Sequence, residues 1–184
     1  MIEAIHCHEQ VFDLSFGSGC SAGLLAVGMI DGSVEVWRYG TEGDSGGNKR
    51  MFLNQNLFAS SCRALSFDSS SEGEEGDGGS GAGSKLYAVS SDKSFIQMDV
   101  EVGKKLSVVA DAHDAAINKL RVWGGGHMCA TGDDEGAVKV WDLRSSSSQV
   151  HSFDKQKDFV SGLTYSAGKH MLLTVAGDAT LCAY

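Results

Sequence analysis

The chain has 184 residues, 42% of them hydrophobic, with 24 glycines, no proline and a formal net charge of −9. That length can bury one sizeable core, no stretch reaches the roughly 18 apolar residues that span a bilayer, and the opening MIEAIHCHEQ lacks the basic flank and apolar run of a secretory signal. The five cysteines (Cys7, Cys20, Cys62, Cys129 and Cys182) are scattered and never spaced C-x-x-C, which argues against a disulfide framework or zinc knuckle and reads as reduced thiols in an intracellular protein.

In chain order, the segment His6-Cys7-His8 carries soft ligands, but alternate residues of a strand point to opposite faces and no second pair follows, so no metal site is expected there. Next comes VFDLSF (11–16), then AVGMIDGSVEVW (26–37) and RMFLNQNL (50–57). The same order returns as CRALSF (62–67), YAVSSDKSFIQM (87–98) and KLSVVA (105–110). It returns again as INKLRV (117–122), ATGDDEGAVKVW (130–141) and QVHSF (149–153), and a fourth time as VSGLTY (160–165) and LTVAGDATLCAY (173–184).

Each hexamer is apolar at its first, fourth and sixth residues, the pattern of a strand buried in a stack of sheets. Each dodecamer has an acid six positions before its last residue: Asp31, Asp92, Glu135 and Asp178. An acid there can accept backbone N–H groups and fix a hairpin. The dodecamers end on Trp37, Met98, Trp141 and Tyr184, at separations of 61, 43 and 43 residues. The long first interval is accounted for by residues 68–84, DSSSEGEEGDGGSGAGS, an insertion too polar to pack and expected to be disordered. Ser69, Ser70 and Ser71 precede acids, as acid-directed kinases favour; a solvated spacer is the plainer reading.

Four strands in about 43 residues predict the blade of a β-propeller. The expected class is all-β, with blades at about 8–57, 58–111, 112–154 and 155–184, the last lacking its fourth strand. Four such blades leave two open faces, so the arrangement reads as the N-terminal part of a larger ring or a truncated chain, with a self-contained four-bladed ring as the alternative.

The segment AHDAAINKL…ATGDDEGAVKVWDLR (112–144) resembles a WD repeat, with His113 before the first strand, an acidic turn and then Trp141-Asp142. More closely, SCRALSF, LYAVSSDKS, AHDAAIN, CATGDDEGAVKVWDLR, DFVSGL and LLTVAGDATL are similar to the WD repeat-containing protein 55 family, over nearly the whole chain. The resemblance implies a non-enzymatic scaffold of the nucleus and nucleolus, with the cytoplasm as a further compartment. It also implies a role in ribosomal RNA production and ribosome assembly, with pre-ribosomal factors as partners. The residues expected to organise the blades are Asp31, Trp37, Asp92, His113, Glu135, Trp141 and Asp178. Because Asp133 stands where a Ser or Thr is usual, the buried His, Ser/Thr, Asp, Trp network of WD blades is expected to be incomplete in all four copies.

Trp141-Asp142-Leu143-Arg144 resembles the W-D-x-R ending of propellers that dock onto the damaged-DNA-binding protein 1 adaptor of cullin-4 ubiquitin ligases. Arg144 would offer a planar, permanently charged fork to that partner, oriented by Asp133, Asp134 and Asp142 beside Trp141. The competing reading is that Arg144 pairs with an acid of its own blade.

Other chemistry finds no support. The glycine runs at 17–23 and 79–85 lack P-loop spacing and a following helix, which argues against a nucleotide cofactor. No Ser/His/Asp grouping suggests catalysis or a small-molecule substrate, and Cys62 and Cys129 read as core residues. Basic residues cluster no further than Lys49-Arg50 and Lys104-Lys105, so no nucleic acid is expected. The acids of residues 68–84 supply more than half of the negative excess, which makes the folded remainder only mildly acidic.

Overall fold

Each copy of the repeat folds into one antiparallel sheet, because its apolar runs are short and the turns between them are rich in Gly, Asp and Ser. The computed structural model describes residues 4–17, 21–39, 48–68, 84–144 and 148–184. The first sheet is β1 (Val11–Phe16), β2 (Leu24–Met29), β3 (Val34–Arg38) and β4 (Lys49–Asn54), each strand paired with the next. The second is β5 (Cys62–Phe67), β6 (Lys85–Ser90), β7 (Phe95–Asp99) and β8 (Lys104–Val109), and the third is β9 (Ile117–Trp123), β10 (Met128–Asp133), β11 (Val138–Asp142) and β12 (Ser148–Phe153). The fourth has three strands, β13 (Val160–Ser166), β14 (Met171–Ala176) and β15 (Leu181–Ala183). The architecture is a four-bladed arc of a β-propeller, with a short 3-10 turn at Ala167–Lys169. Most of the acidic insertion, residues 69–83 with Ser69, Ser70 and Ser71, lies outside the described residues, as does Cys20.

The turn between the second and third strands is built alike in every blade. Gly32, Lys93, Gly136 and Ala179 occupy the same place and all have left-handed backbones, with φ of 82°, 71°, 88° and 64°. That geometry continues a three-residue loop into the twist of the hairpin. The register between third and fourth strands slips by one residue at Val36/Trp37, Gln97/Met98 and Val140/Trp141, a bulge repeated at one position in three blades.

Blades pack face to face through three apolar seams. Leu24, Ala26, Val34 and Val36 of blade one meet Cys62, Leu65, Phe67, Leu86 and Ile96 of blade two. Tyr87, Val89 and Phe95 of blade two meet Ile117, Val122, Cys129 and Trp141 of blade three. Ala130, Val138 and Val140 of blade three meet Val160, Leu172 and Tyr165 of blade four. The first, fourth and sixth residues of each first strand are thus the ones turned towards the preceding blade. Burial in these seams pushes the Cys62 and Cys129 thiols up, as befits small core residues. Polar contacts follow the same seams: the Leu65 and Phe67 N–H groups, unpaired on their strand, donate to Asp13 Oδ2 (2.9 Å) and Ser15 Oγ (3.3 Å) of β1.

Candidate functional site

The buried polar network of blade three is complete, which corrects the expectation from sequence. Trp141 Nε1 donates to Thr131 Oγ1 (2.8 Å), Thr131 Oγ1 meets His113 Nε2 (2.6 Å), and His113 Nδ1 meets Asp133 Oδ2 (2.8 Å). The hydroxyl is two residues upstream of Asp133, on the same face of β10, and Asp133 supplies the acid. Its other oxygen accepts the N–H groups of Glu135 (3.0 Å) and Ala137 (2.8 Å). Glu135, aligned with the turn acids of the other blades, is therefore not the acid of this turn; its side chain is exposed and forms no hydrogen bond among the described residues. The shorter aspartate side chain suits a bond to the N–H two residues on, as Asp31, Asp92 and Asp178 make to Ser33, Ser94 and Thr180.

The other blades reach the same end with different residues. In blade one, the fully buried Glu35 of β3 accepts from Trp37 Nε1 (2.8 Å) and Arg50 Nη1 (3.2 Å) and meets His8 Nδ1 (3.1 Å), while His8 Nε2 meets Asp31 Oδ2 (3.1 Å). In blade four, Gln156 stands where His113 stands, four residues before the first strand, and Thr174 Oγ1 donates to its Oε1 (2.8 Å). Blade two has neither; Asp92 there accepts the Ala59 N–H (2.7 Å), as Asp178 accepts that of Lys157 (2.7 Å). Each of these acids ties its turn to the loop that leads into its own blade.

The hydrogen bond to Glu35 raises the His8 pKa against an opposing contribution from burial, with Asp31 adding to the rise. A pKa raised in the folded state gives stability that is full below the unfolded histidine value and is lost as pH rises through the folded value. Hydrogen exchange of residues 4–10 is therefore expected to speed up as pH passes upward through that range, with Arg50 and Cys7 the other ionisable neighbours of Glu35. The His8→Ala variant should exchange fast at every pH; an unchanged profile in that variant would show that His8 is not the latch.

The meander sends its loops to two faces. On one lie the turns just described and the connections between blades, carrying Glu9, Asp31, Asp92, Asp111, Asp114, Asp134, Glu135, Asp154, Asp158 and Asp178, with Lys93, Lys155 and Lys157 as the basic residues. The acidic charge of the described residues is thus concentrated on one face, which the whole-chain balance conceals. At its centre is a cleft of about 280 Å³ lined by the inner strands of all four blades, including Phe12, Arg63, Asn118, Lys119, Asp134 and Phe159. The Arg63 guanidinium lies over the Phe12 ring at 5.3 Å and reaches Asn118 Oδ1 at 3.4 Å. Asn118 in turn donates to Asp134.

The residues proposed around Arg144 are not brought together. Asp133 and Asp134 lie on the acidic face, and Trp141 is buried in a seam. Asp142 and Arg144 lie at the other end of the blade, since Asp142 pairs with Met128, five residues along β10 from Asp133 and about 16 Å away at the strand rise. Among the described residues Arg144 is held by Asp142: its Nε and Nη2 donate to the two carboxylate oxygens at 3.0 and 2.6 Å, and its N–H donates to Oδ1 at 2.9 Å. Those bonds hold the half-buried Asp142 carboxyl down at about 2.

No family model matches the chain. It is 30% identical over 161 residues to WD repeat-containing protein 55 of Arabidopsis thaliana and 36% identical over 156 residues to that of Danio rerio, matches that cover 88% and 84% of this chain. Among solved structures it superposes on Saccharomyces cerevisiae Sqt1 with a TM-score of 0.77 at 15% identity, over 95% of this chain and 47% of that one. Chaetomium thermophilum Sqt1 bound to the N-terminus of the ribosomal protein L10 gives 0.71 at 19%, over 88% of this chain and 42% of that one. The chain belongs to the WD-repeat proteins.

This WD-repeat chain spans about two fifths of the length of the curated relatives it matches, 40% and 36% of the two named. WD-repeat propellers are generally non-enzymatic interaction scaffolds, and in the blades described here the polar networks hold turns and loops in place. Gln156, Glu35 and Thr131 were not singled out from sequence, and His8 was weighed only as a metal ligand. For Gln156 a signal existed, since it and His113 stand at the same distance before their strands.

Proposed function

We propose that the chain is part of a ribosome-assembly scaffold that receives a basic segment of a partner protein on its acidic turn face. The observation that carries this is the segregation of acids, among the described residues, onto the face around the central cleft, where opposite charge speeds encounter and fixes orientation. Two likenesses support it: curated relatives are WD repeat-containing protein 55, and a structural neighbour is seen bound to the N-terminus of a ribosomal protein. The partners are pre-ribosomal factors, and the place of action is the nucleus and nucleolus, with the cytoplasm second. Affinity purification, with co-purifying proteins identified, tests this. Reversing Asp114 and Glu135 to lysine is expected to cut recovery of basic ribosomal partners at least about tenfold, whereas Glu101→Lys on the opposite face leaves it unchanged. Equal recovery from all three preparations would rule the acidic face out.

A second reading, docking onto the cullin-4 ligase adaptor through Trp141–Arg144, is favoured by the exposed guanidinium that Asp142 holds in a fixed direction. It predicts that Arg144→Ala abolishes co-purification of the adaptor and that Asp142→Ala weakens it; full retention by Arg144→Ala removes the reading.

A further inference from the structure

We infer that the central cleft takes one carboxylate side chain, an aspartate or glutamate, from the otherwise basic segment received by the acidic face, an inference that rests on the acidic-face reading. The second residue of each first strand, Phe12, Arg63, Asn118 and Ser161, lines this cleft, and none of the four is acidic. Lys119 lies beside them. The middle of an acidic face therefore holds two fixed cations, Arg63 and Lys119, both half-buried. They belong to blades two and three, each of which packs against a neighbour on both sides within the chain.

Arg63 is oriented without being neutralised. Its Nε donates to Ser61 Oγ (3.1 Å), its Nη1 donates to Asn118 Oδ1 (3.4 Å), and the Phe12 ring underlies the guanidinium. Ser61 is fixed in turn by Ser91, Oγ to Oγ at 2.7 Å. Asp134, the acid of the cleft, accepts from Asn118 Nδ2, so Asn118 bonds to both charges and stands between them. Among the described residues neither Arg63 nor Lys119 forms an ion pair, whereas Arg50 pairs with Glu35 and Arg144 with Asp142. A planar fork held in place with donors to spare suits a carboxylate. The Phe12 and Phe159 rings in the wall lower the local dielectric, which makes a charge pair worth more than on the open surface. At about 280 Å³ the cleft falls just below the range of small-molecule sites, about 300–1,000 Å³, and suits a single side chain. A third cation entering it would be repelled by the two already there. An isolated anion would be turned away by the surrounding acids, so the carboxylate must arrive within a basic segment. Lysines and arginines on the rim with one acid at the centre then fix the register of that segment.

Fluorescence anisotropy of the full chain with two labelled lysine-rich peptides, differing only in a central glutamate or glutamine, gives opposite signs for the two possibilities. An acidic face acting alone would bind the more positive glutamine peptide tighter. With a carboxylate site at its centre, the glutamate peptide is expected to bind about tenfold tighter. Arg63→Gln should reverse that preference while keeping the affinity for the glutamine peptide. Lys119→Gln should diminish it, and because the Lys119 side chain makes no hydrogen bond among the described residues, this variant should melt as the parent does even if Arg63→Gln does not. Tighter binding of the glutamine peptide by the parent, or a glutamate preference that survives both substitutions, would overturn the inference and leave the acidic-face reading standing. Tight binding of a phosphoserine peptide alongside equal binding of the other two would overturn it as well, making the cleft a phosphate site. Binding of none of these peptides would remove both readings together.

Discussion

Replacing Asp133 by alanine is expected to cost about 3–5 kcal/mol of stability, because it leaves the buried His113 ring and two turn N–H groups without their acceptor, at roughly 1–3 kcal/mol for each buried group left unpaired. The effect is large because one carboxylate binds three groups directly and aligns two more through one of them. Oδ2 holds His113, through which Thr131 and the Trp141 indole are aligned, and Oδ1 holds the N–H groups of Glu135 and Ala137. Asp133 and His113 are both fully buried, so water cannot replace what is lost. For a chain of this size the melting temperature should fall by roughly 6–20 °C. Asp133→Asn keeps an acceptor for the turn but gives up the charge and should fall between the variant and the parent. The pH dependence gives an independent check. Burial pushes the Asp133 carboxyl up, but the bonds from His113, Ala137 and Glu135 outweigh it and the net shift is downward. A lowered folded pKa contributes stability that is present above the unfolded aspartate range and is lost as pH falls through the folded value. The acid limb of the stability profile should therefore be shallower in Asp133→Asn than in the parent. Equal melting of the alanine variant and the parent would mean that the network does not hold the blade together.

The repeats were legible in the sequence because strands and seams obey a local rule. In VFDLSF, CRALSF, INKLRV and VSGLTY the first, fourth and sixth residues are apolar, and those are the residues turned to the preceding blade. The networks were less legible, because a hydrogen-bonded set is defined by which face of a strand each residue occupies. Thr131 and Asp133 share a face of β10, and reading Asp133 as a misplaced hydroxyl position hid the set that was there. Glu35 does in blade one, from β3, what Thr131 does in blade three from β10, and no gapless alignment equates them. The grouping of Asp133 and Asp134 with Arg144 failed for a related reason: residues close in sequence across a hairpin strand end on opposite faces of the blade. Charge misled in the same way, since summing along the chain erases a partition that antiparallel strands create in space among the described residues.

The turn position shared by Gly32, Lys93, Gly136 and Ala179 carries the second large effect. At Gly136, where φ is +88°, a Cβ would come 2.6 Å from Gln156 O and 2.9 Å from Asp158 O, both backbone atoms that cannot swing away. Gly136→Val adds this clash to the cost of a left-handed backbone, about 1–2 kcal/mol for a residue with a side chain, and a total loss of roughly 2–4 kcal/mol is expected. The reverse change tests the same physics with the opposite sign. Lys93 holds φ of +71° with a side chain, and its carbonyl accepts the Ala112 N–H at 2.9 Å. Lys93→Gly keeps that bond and relieves the backbone, less the greater freedom of glycine in the unfolded chain, for a gain of about 0.5–1 kcal/mol. Denaturant unfolding of both variants decides the matter: Gly136→Val must lower the midpoint and Lys93→Gly must not. Because Gly136 abuts the loop at residues 154–159, the valine variant should also shift that part of the acidic face. Partner recovery should then drop even at temperatures where the rest of the arc stays folded. If recovery is instead unchanged while stability falls, the loop at Asp154 and Asp158 takes no part in binding, and the contact lies nearer Asp114 and the central cleft.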